Sequence, residues 1–205
     1  MNAPTPPVAG VLLAAGNGSR LGRGPKALLR RADGATLVEY LAGVLAAGGC
    51  TPVAVVLGAG AASARTLPGL AGYLLVENEG WEQGMGGSLR RGLDAVPSGH
   101  GALVALVDQP GLDAATVRRL LAAHRPGRIT AAGFREREPG GAAVRRGHPV
   151  LFGPDDLPAV RAVAHGDTGA RAYLAGQAAR LDVVDCSDRS DGGDVDAPDD
   201  LHRLD

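Results

Sequence analysis

Four glycines and three cations share one short stretch, Leu13–Lys26, which reads LAAGNGSRLGRGPK. Gly16, Gly18, Gly22 and Gly24 carry no Cβ, so backbone N–H groups there can turn towards a ligand. A concave row of such groups attracts anions. Arg20 offers a planar fork to phosphate oxygens, and Lys26 a compact charge; Arg23 adds a third cation. The stretch reads as a cradle for a polyphosphate. The same residues also suit a glycine-rich surface loop with solvated cations, and composition leaves both readings open. Two familiar phosphate loops are excluded. Lys26 is not preceded by Gly and followed by Ser or Thr, and Leu21 stands where a dinucleotide fingerprint needs its third Gly.

Carboxylates supply the complementary chemistry. Asp108 follows the apolar run Ala102–Val107 directly, in a turn closed by Pro110. An acid so placed suits a hard cation such as Mg²⁺; it equally suits an Asx turn or a helix-related cap. Asp194, Asp196, Asp199 and Asp200 cluster late in the chain, and such runs are usually solvated. Gly84-Met85-Gly86-Gly87-Ser88 precedes a helical stripe, so its N–H groups could meet an anion at the helix start. It could also be an ordinary glycine turn with Ser88 as a cap. His148 and Arg171, each taken alone, read as structural or surface residues.

The elements that must position these residues follow from periodicity. Val8–Leu13, Pro52–Leu57, Tyr73–Val76 and Ala102–Val107 are apolar runs of strand length, as expected for buried parallel strands. Leu37, Leu41, Val44 and Leu45 recur at helical spacing, and so do Leu89, Leu93 and Val96. Gly48 and Gly49 stop the first helix. Asp113 can cap a helix through Val117, Leu120 and Leu121. A turn and short helix fit Gly58–Pro68. Strand–helix alternation predicts a doubly wound α/β sheet, mostly parallel, over a single domain of residues 1–205. Ligands of such sheets bind at the carboxyl ends of the strands, where both the glycine loop and Asp108 fall. Beyond Pro126 the pattern loosens. Strands are expected at Ile129–Ala132, Pro149–Phe152 and Leu181–Val184, helices at Pro154–Val163 and Thr168–Leu174, and a turn at Pro139-Gly140-Gly141.

Composition narrows the function classes. A net charge of −1 gives no global attraction for nucleic acid or a membrane surface. Cys50 and Cys186 show no metal spacing and no disulfide framework, and the histidines lack the i, i+4 spacing of a helical zinc site. No apolar run approaches a membrane span. MNAPTPPVAG has no basic region before an apolar core, so no signal peptide is expected and a cytoplasmic setting is the default.

LAAGNGSRLGRGPKALL resembles the signature loop of the nucleotidyltransferases related to molybdenum cofactor cytidylyltransferase. Asp108-Gln109-Pro110, the segment from Asn78 to Leu89, Arg146–Phe152, Gly166–Arg171 and the late Asp194–Asp200 run match further family segments in order, from Val8 to about Leu201. The resemblance implies a Rossmann-like fold of the nucleotide-diphospho-sugar transferase type. It implies that Leu13, Ala14, Ala15, Gly16, Gly18 and Ser19 hold a nucleoside triphosphate, with Gly84 and Ser88 beside it. Arg20 and Lys26 become the catalytic cations, and His148 and Arg171 line the acceptor side. Asp108 becomes a Mg²⁺ ligand; Asp196 is preferred as the second, with Asp194 as the alternate. The implied reaction transfers CMP from CTP to the phosphate of a molybdopterin-type acceptor and releases pyrophosphate, with transient contact to a molybdoenzyme or its chaperone as a further partner.

LAAG resembles the cytidine-using branch, because the guanosine-using branch more often has Gly in place of Ala15. A sugar or polyol phosphate acceptor, GTP as donor, and a nucleotide-binding chaperone that delivers cofactor without turnover are the rival readings. Two positions depart from the family pattern: Ala197 stands where Thr is usual, and Gly87 where Ser is usual. If Asp196 is a ligand, Asp185–Asp200 is expected to be a strap that the metal and triphosphate draw inward.

Overall fold

Residues 6–135 and 143–205 are described by the computed structural model. Seven strands make one sheet: β1 (Val8–Ala14), β2 (Val53–Leu57), β3 (Leu74–Glu77), β4 (Gly101–Leu106), β5 (Ile129–Arg135), β6 (Val144–Phe152) and β7 (Leu181–Asp185). Their order is β3-β2-β1-β4-β6-β5-β7. β1 lies between β2 and β4 and is parallel to both; β3 is parallel to β2, and β7 to β5. Only β6 runs the other way, antiparallel to β4 and β5. The sheet is therefore mostly parallel, as the alternation predicted.

Every residue of β1 is buried. Successive side chains point to opposite faces, so Leu12 joins one core with Leu41, Val55 and Val117, while Val11 and Leu13 join a second with Leu89, Leu93 and Val160. Two cores require helices on both faces. Helices α1 (Leu37–Ala47) and α4 (Ala114–Ala123) cover the first face; α3 (Met85–Asp94), α5 (Leu157–Val163) and α6 (Arg171–Ala175) cover the second. A single turn, α2 (Ala61–Ala64), follows β2. Local chemistry fixes the helix starts. Thr36 and Glu39 cap α1 reciprocally, and Asp113 accepts the Thr116 N–H at 2.7 Å to cap α4, as the sequence suggests.

Two differences from the periodicity matter. β5 and β6 extend to Arg135 and back to Val144, beyond the apolar runs that marked them. Backbone pairing carries these polar ends, for example Phe134 with Arg145, so hydropathy does not reveal them. Gly166–Thr168 forms a separate 3₁₀ turn, and α6 starts only at Arg171. The turn expected at Pro139-Gly140-Gly141 lies outside the described residues. Among the described residues, no helix is long and apolar enough to cross a membrane.

Candidate active site

The glycine loop leaves β1 at its carboxyl end and folds back on itself. Gly18 O accepts N–H bonds from Leu21 at 3.0 Å and Gly22 at 3.3 Å. Gly18 has φ +63°, and a Cβ there would sit 2.5 Å from Gly24 O, so only glycine fits. Asn17 Oδ1 accepts the Ser19 N–H at 3.1 Å. Buried Leu21 and Ala27 anchor the loop to the core, and the Ala59 N–H bonds Ala15 O at 3.0 Å.

This fold-back delivers Lys26 to the end of β4. Val107 N–H bonds Leu13 O at 3.1 Å, which sets Asp108 beside the start of the loop. Lys26 Nζ lies 2.9 Å from Asp108 Oδ2 and also pairs with Asp196 Oδ1. Burial alone would lower the Lys26 pKa; the Asp108 and Asp196 carboxylates outweigh it and hold the ammonium above its usual value. Asp108 Oδ1 is buried without a hydrogen-bond partner.

Asp196 reaches this point on residues 186–197, which cross the carboxyl end of the sheet after β7. Val195 is fully buried, and its N–H bonds Asp108 O at 2.8 Å. Arg119 holds Asp188 with two bonds of 2.6 and 2.8 Å, and Arg189 pairs with Asp113. The segment is thus a strap, as expected. Lys26 pairs with both Asp196 and Asp108 and so joins the strap to the end of β4. Asp194 points elsewhere: its Oδ1 accepts from Gln109 Nε2 at 2.8 Å. Burial raises the Asp194 pKa, with Gln109 opposing and the Asp108 and Asp196 charges adding to the rise.

A cleft of about 600 Å³ opens above these groups. Leu13, Ala15, Gly16, Gly18, Ser19, Arg20, Lys26, Gly84, Ser88, Asp108 and Asp196 all line it. Ala14 lies beneath, in the core. Asp194 is not among the lining residues. His148 lines a separate small cavity with Gln109, Thr116 and Phe134. Its ring is pushed down to about 4 by burial and by the neighbouring Arg146 charge, against the pull of Asp108. Arg171 stands exposed at the start of α6, outside the cleft lining.

The cleft also holds residues to which the sequence assigned no site role. Trp81, Met85 and Leu106 join Leu13 and Ala15 in an apolar wall, while Glu82 and Asp167 add acids. Trp81 packs closely because a Cβ at Gly58 would sit 2.7 Å from it and 2.8 Å from Ala15 Cβ. The signal for Trp81 is its place, as the chain's one tryptophan, in a segment that resembles the family's Trp, Gly-Met, Ser-Leu pattern. Asp167 arrives because its turn lies against Gly84, where a Cβ would meet Gly166 C at 2.5 Å. Ser88 is buried, and its hydroxyl accepts from Asn78 Nδ2 at 3.0 Å; α3 begins after Gly84 without a side-chain cap bond.

The arrangement can neutralise a polyanion and hold a cation next to it. Among the described residues, no three His, Cys, Asp or Glu side chains form a metal cage. The pair Asp108 and Asp196 fits a hard divalent ion that takes its remaining oxygens from a ligand and water. The unpartnered Asp108 Oδ1 and the cation already seated between the carboxylates both favour that fit.

The MobA-like NTP transferase domain matches residues 10–183. A nicotine blue oxidoreductase of Paenarthrobacter nicotinovorans is 47% identical over 199 residues, covering 97% of each chain. Among solved structures, a Mycobacterium sp. strain JC1 homologue of Mycobacterium tuberculosis Rv0371c superposes with a TM-score of 0.78 at 28% identity, over 96% of this chain and 94% of that one. Rv0371c itself, from strain H37Rv and in complex with manganese, gives 0.74 at 29% identity, over 98% of both chains.

Proposed function

The chain belongs to the MobA-like NTP transferase domain family, and from that membership we propose a divalent-metal-dependent nucleotidyltransferase that moves CMP from CTP to the phosphate of a molybdopterin-type acceptor in the cytoplasm. The carrying observation is the convergence of Lys26, Asp108 and Asp196 beside the glycine loop. An acceptor phosphate oxygen attacks the α-phosphorus of CTP, the bond to the β-phosphate oxygen breaks, and pyrophosphate leaves. That acceptor is already mostly ionised, its second pKa being about 6, so no general base is required. The protein's task is positioning and charge neutralisation. Backbone N–H groups of the loop and Arg20 meet the phosphates. Lys26 exchanges its carboxylate partners for phosphate oxygens. Ala15 and Trp81 bound the space for the base. When bound at Asp108 and Asp196, a divalent cation supplies Lewis-acid stabilisation of phosphate charge; the manganese complex of the 29% identical Rv0371c supports such a cation.

Pyrophosphate release tests this reading. Purified protein is incubated with each nucleoside triphosphate, Mg²⁺ or Mn²⁺, and a molybdopterin-type acceptor. CTP-dependent release that needs both acceptor and metal is expected; none with any triphosphate refutes it. A second reading rests on the relative at 47% identity, whose name is that of an oxidoreductase. In it, the same anion-binding loop and apolar wall hold a nucleotide that carries electrons. NADH consumption with an electron-accepting dye, without pyrophosphate release, would favour that second reading.

A further inference from the structure

Four acids crowd the end of the strap, and their environments differ. Asp194 faces Gln109 and Asp196 faces Lys26. Asp199 is exposed, and its carbonyl rather than its carboxylate makes a bond, to His202 Nδ1 at 2.7 Å. Asp200 turns back on the strap. Its Oδ2 accepts the backbone N–H of Asp196 at 3.0 Å and that of Ala197 at 2.9 Å.

From this contact we infer that Asp200 is a positioning residue for Asp196. The inference rests on the reading of Asp196 as a metal ligand. Ala197 precedes the 3₁₀ turn Pro198–Leu204 and has no side-chain oxygen to cap it. Asp200 supplies the acceptor from the opposite direction, and in doing so fixes the peptide that bears Asp196. Other contacts hold this clamp in place. Arg203 Nη1 meets both Asp191 oxygens, at 2.8 and 2.9 Å, and so ties the turn to the strap. Leu204 O accepts from Ala32 N at 3.0 Å, which ties the turn to the body. On the other side, Val195 is buried and bonded to Asp108 O. Asp196 is therefore pinned from both sides along the backbone. Its side chain is 46% exposed, so packing does not hold the carboxylate itself. The backbone clamp fixes the peptide from which it extends, and Lys26 meets the carboxylate itself. Groups that orient metal ligands typically change metal affinity by about 10–100-fold when removed.

The test measures Mn²⁺·CTP binding by water proton relaxation for wild type, Asp200→Ala, Asp200→Asn, Asp199→Ala and Asp196→Ala, with a thermal melt of each. Asp200→Ala should weaken binding by about 10-fold or more. Asp200→Asn, whose amide oxygen can accept the same two bonds, should recover most of the loss, and Asp199→Ala should match wild type. A purely structural role would move the melting temperature without that ordering. If the alanine variant does not fold, Asp200→Ser replaces it; its shorter hydroxyl cannot span both bonds, so the same weakening is expected. If Asp196→Ala weakens binding while Asp200→Ala behaves like Asp199→Ala, the positioning role is refuted and the site stands. If Asp196→Ala binds like wild type, or wild type binds no Mn²⁺·CTP, the underlying site is refuted and the inference with it.

Discussion

Replacing Lys26 with Met should move two properties in opposite directions. In the structure Lys26 occupies the place between Asp108 and Asp196 that a divalent cation would need. A metal arriving alone must displace the ammonium. The bond to Asp108 joins side chains that are 13% and 24% exposed, and a charge-assisted bond of this kind contributes about 1.5–3 kcal/mol. The bond to Asp196, whose side chain is 46% exposed, contributes about 0–1 kcal/mol after solvent screening. Releasing Lys26 thus costs about 1.5–4 kcal/mol, or about 10–900-fold in affinity. Lys26→Met should therefore bind Mn²⁺ alone more tightly than wild type, approaching that factor if release is complete.

CTP should change the comparison. In wild type its phosphates should take over Lys26 and so strengthen metal binding, a coupling that must be reciprocal; in the variant this part of the coupling should vanish, leaving the part due to direct phosphate coordination. Turnover should fall, because a preorganised cation facing departing pyrophosphate contributes about 2–4 kcal/mol to the barrier. Free Mn²⁺, read by electron paramagnetic resonance with and without CTP, gives the affinities, and pyrophosphate release at saturating substrate gives turnover. Equal affinity for Mn²⁺ alone in the two proteins would refute the argument.

Ala15→Gly should lower the preference for CTP over GTP without abolishing turnover, since it removes a methyl from the wall shared with Trp81; an unchanged ratio of specificity constants would count against it. His148 should impose an acid dependence on stability. Its folded value of about 4 lies below the ordinary 6.5, so the unfolded chain binds more protons between these limits. Stability should fall as pH drops through that window, by about 3 kcal/mol in all. His148→Asn should flatten the curve, and parallel melting profiles for the two proteins from pH 7 to 4 would exclude this cause.

What the sequence reveals depends on what each residue's surroundings demand. β1, β2 and β4 are legible because parallel strands covered on both faces must be apolar throughout. Asp113 is legible because a helix start leaves N–H groups that only a nearby acceptor can meet. β6 is half hidden: Val150–Phe152 lie in the core, but the Arg145 and Arg146 end is held by pairing with β5, which leaves no hydropathy trace. Asp194 and Asp196 are chemically identical, and spacing alone cannot say which faces Lys26. The loop and Asp108 could be foreseen at one end of the sheet, yet the link from Lys26 to the strap depends on the path of the chain after β7. Trp81 and Asp167 were likewise brought to the cleft by neighbours at Gly58 and Gly84, whose lack of a Cβ gains meaning only in three dimensions.

The distance along the chain between Lys26 and Asp196 has a consequence for biosynthesis. Their pairing joins residues 170 positions apart. At about 5–20 residues per second, ribosomal synthesis places them about 10–30 s apart. From the addition of Asp108, 82 residues after Lys26, the nascent chain holds both of these but lacks the third member of the cluster. The parallel strands β1, β2 and β4 can pair meanwhile. The carboxylate pair around Lys26 is completed only when the strap crosses the sheet, so a ribosome stalled before Asp196 would display a largely built sheet with an incomplete cluster.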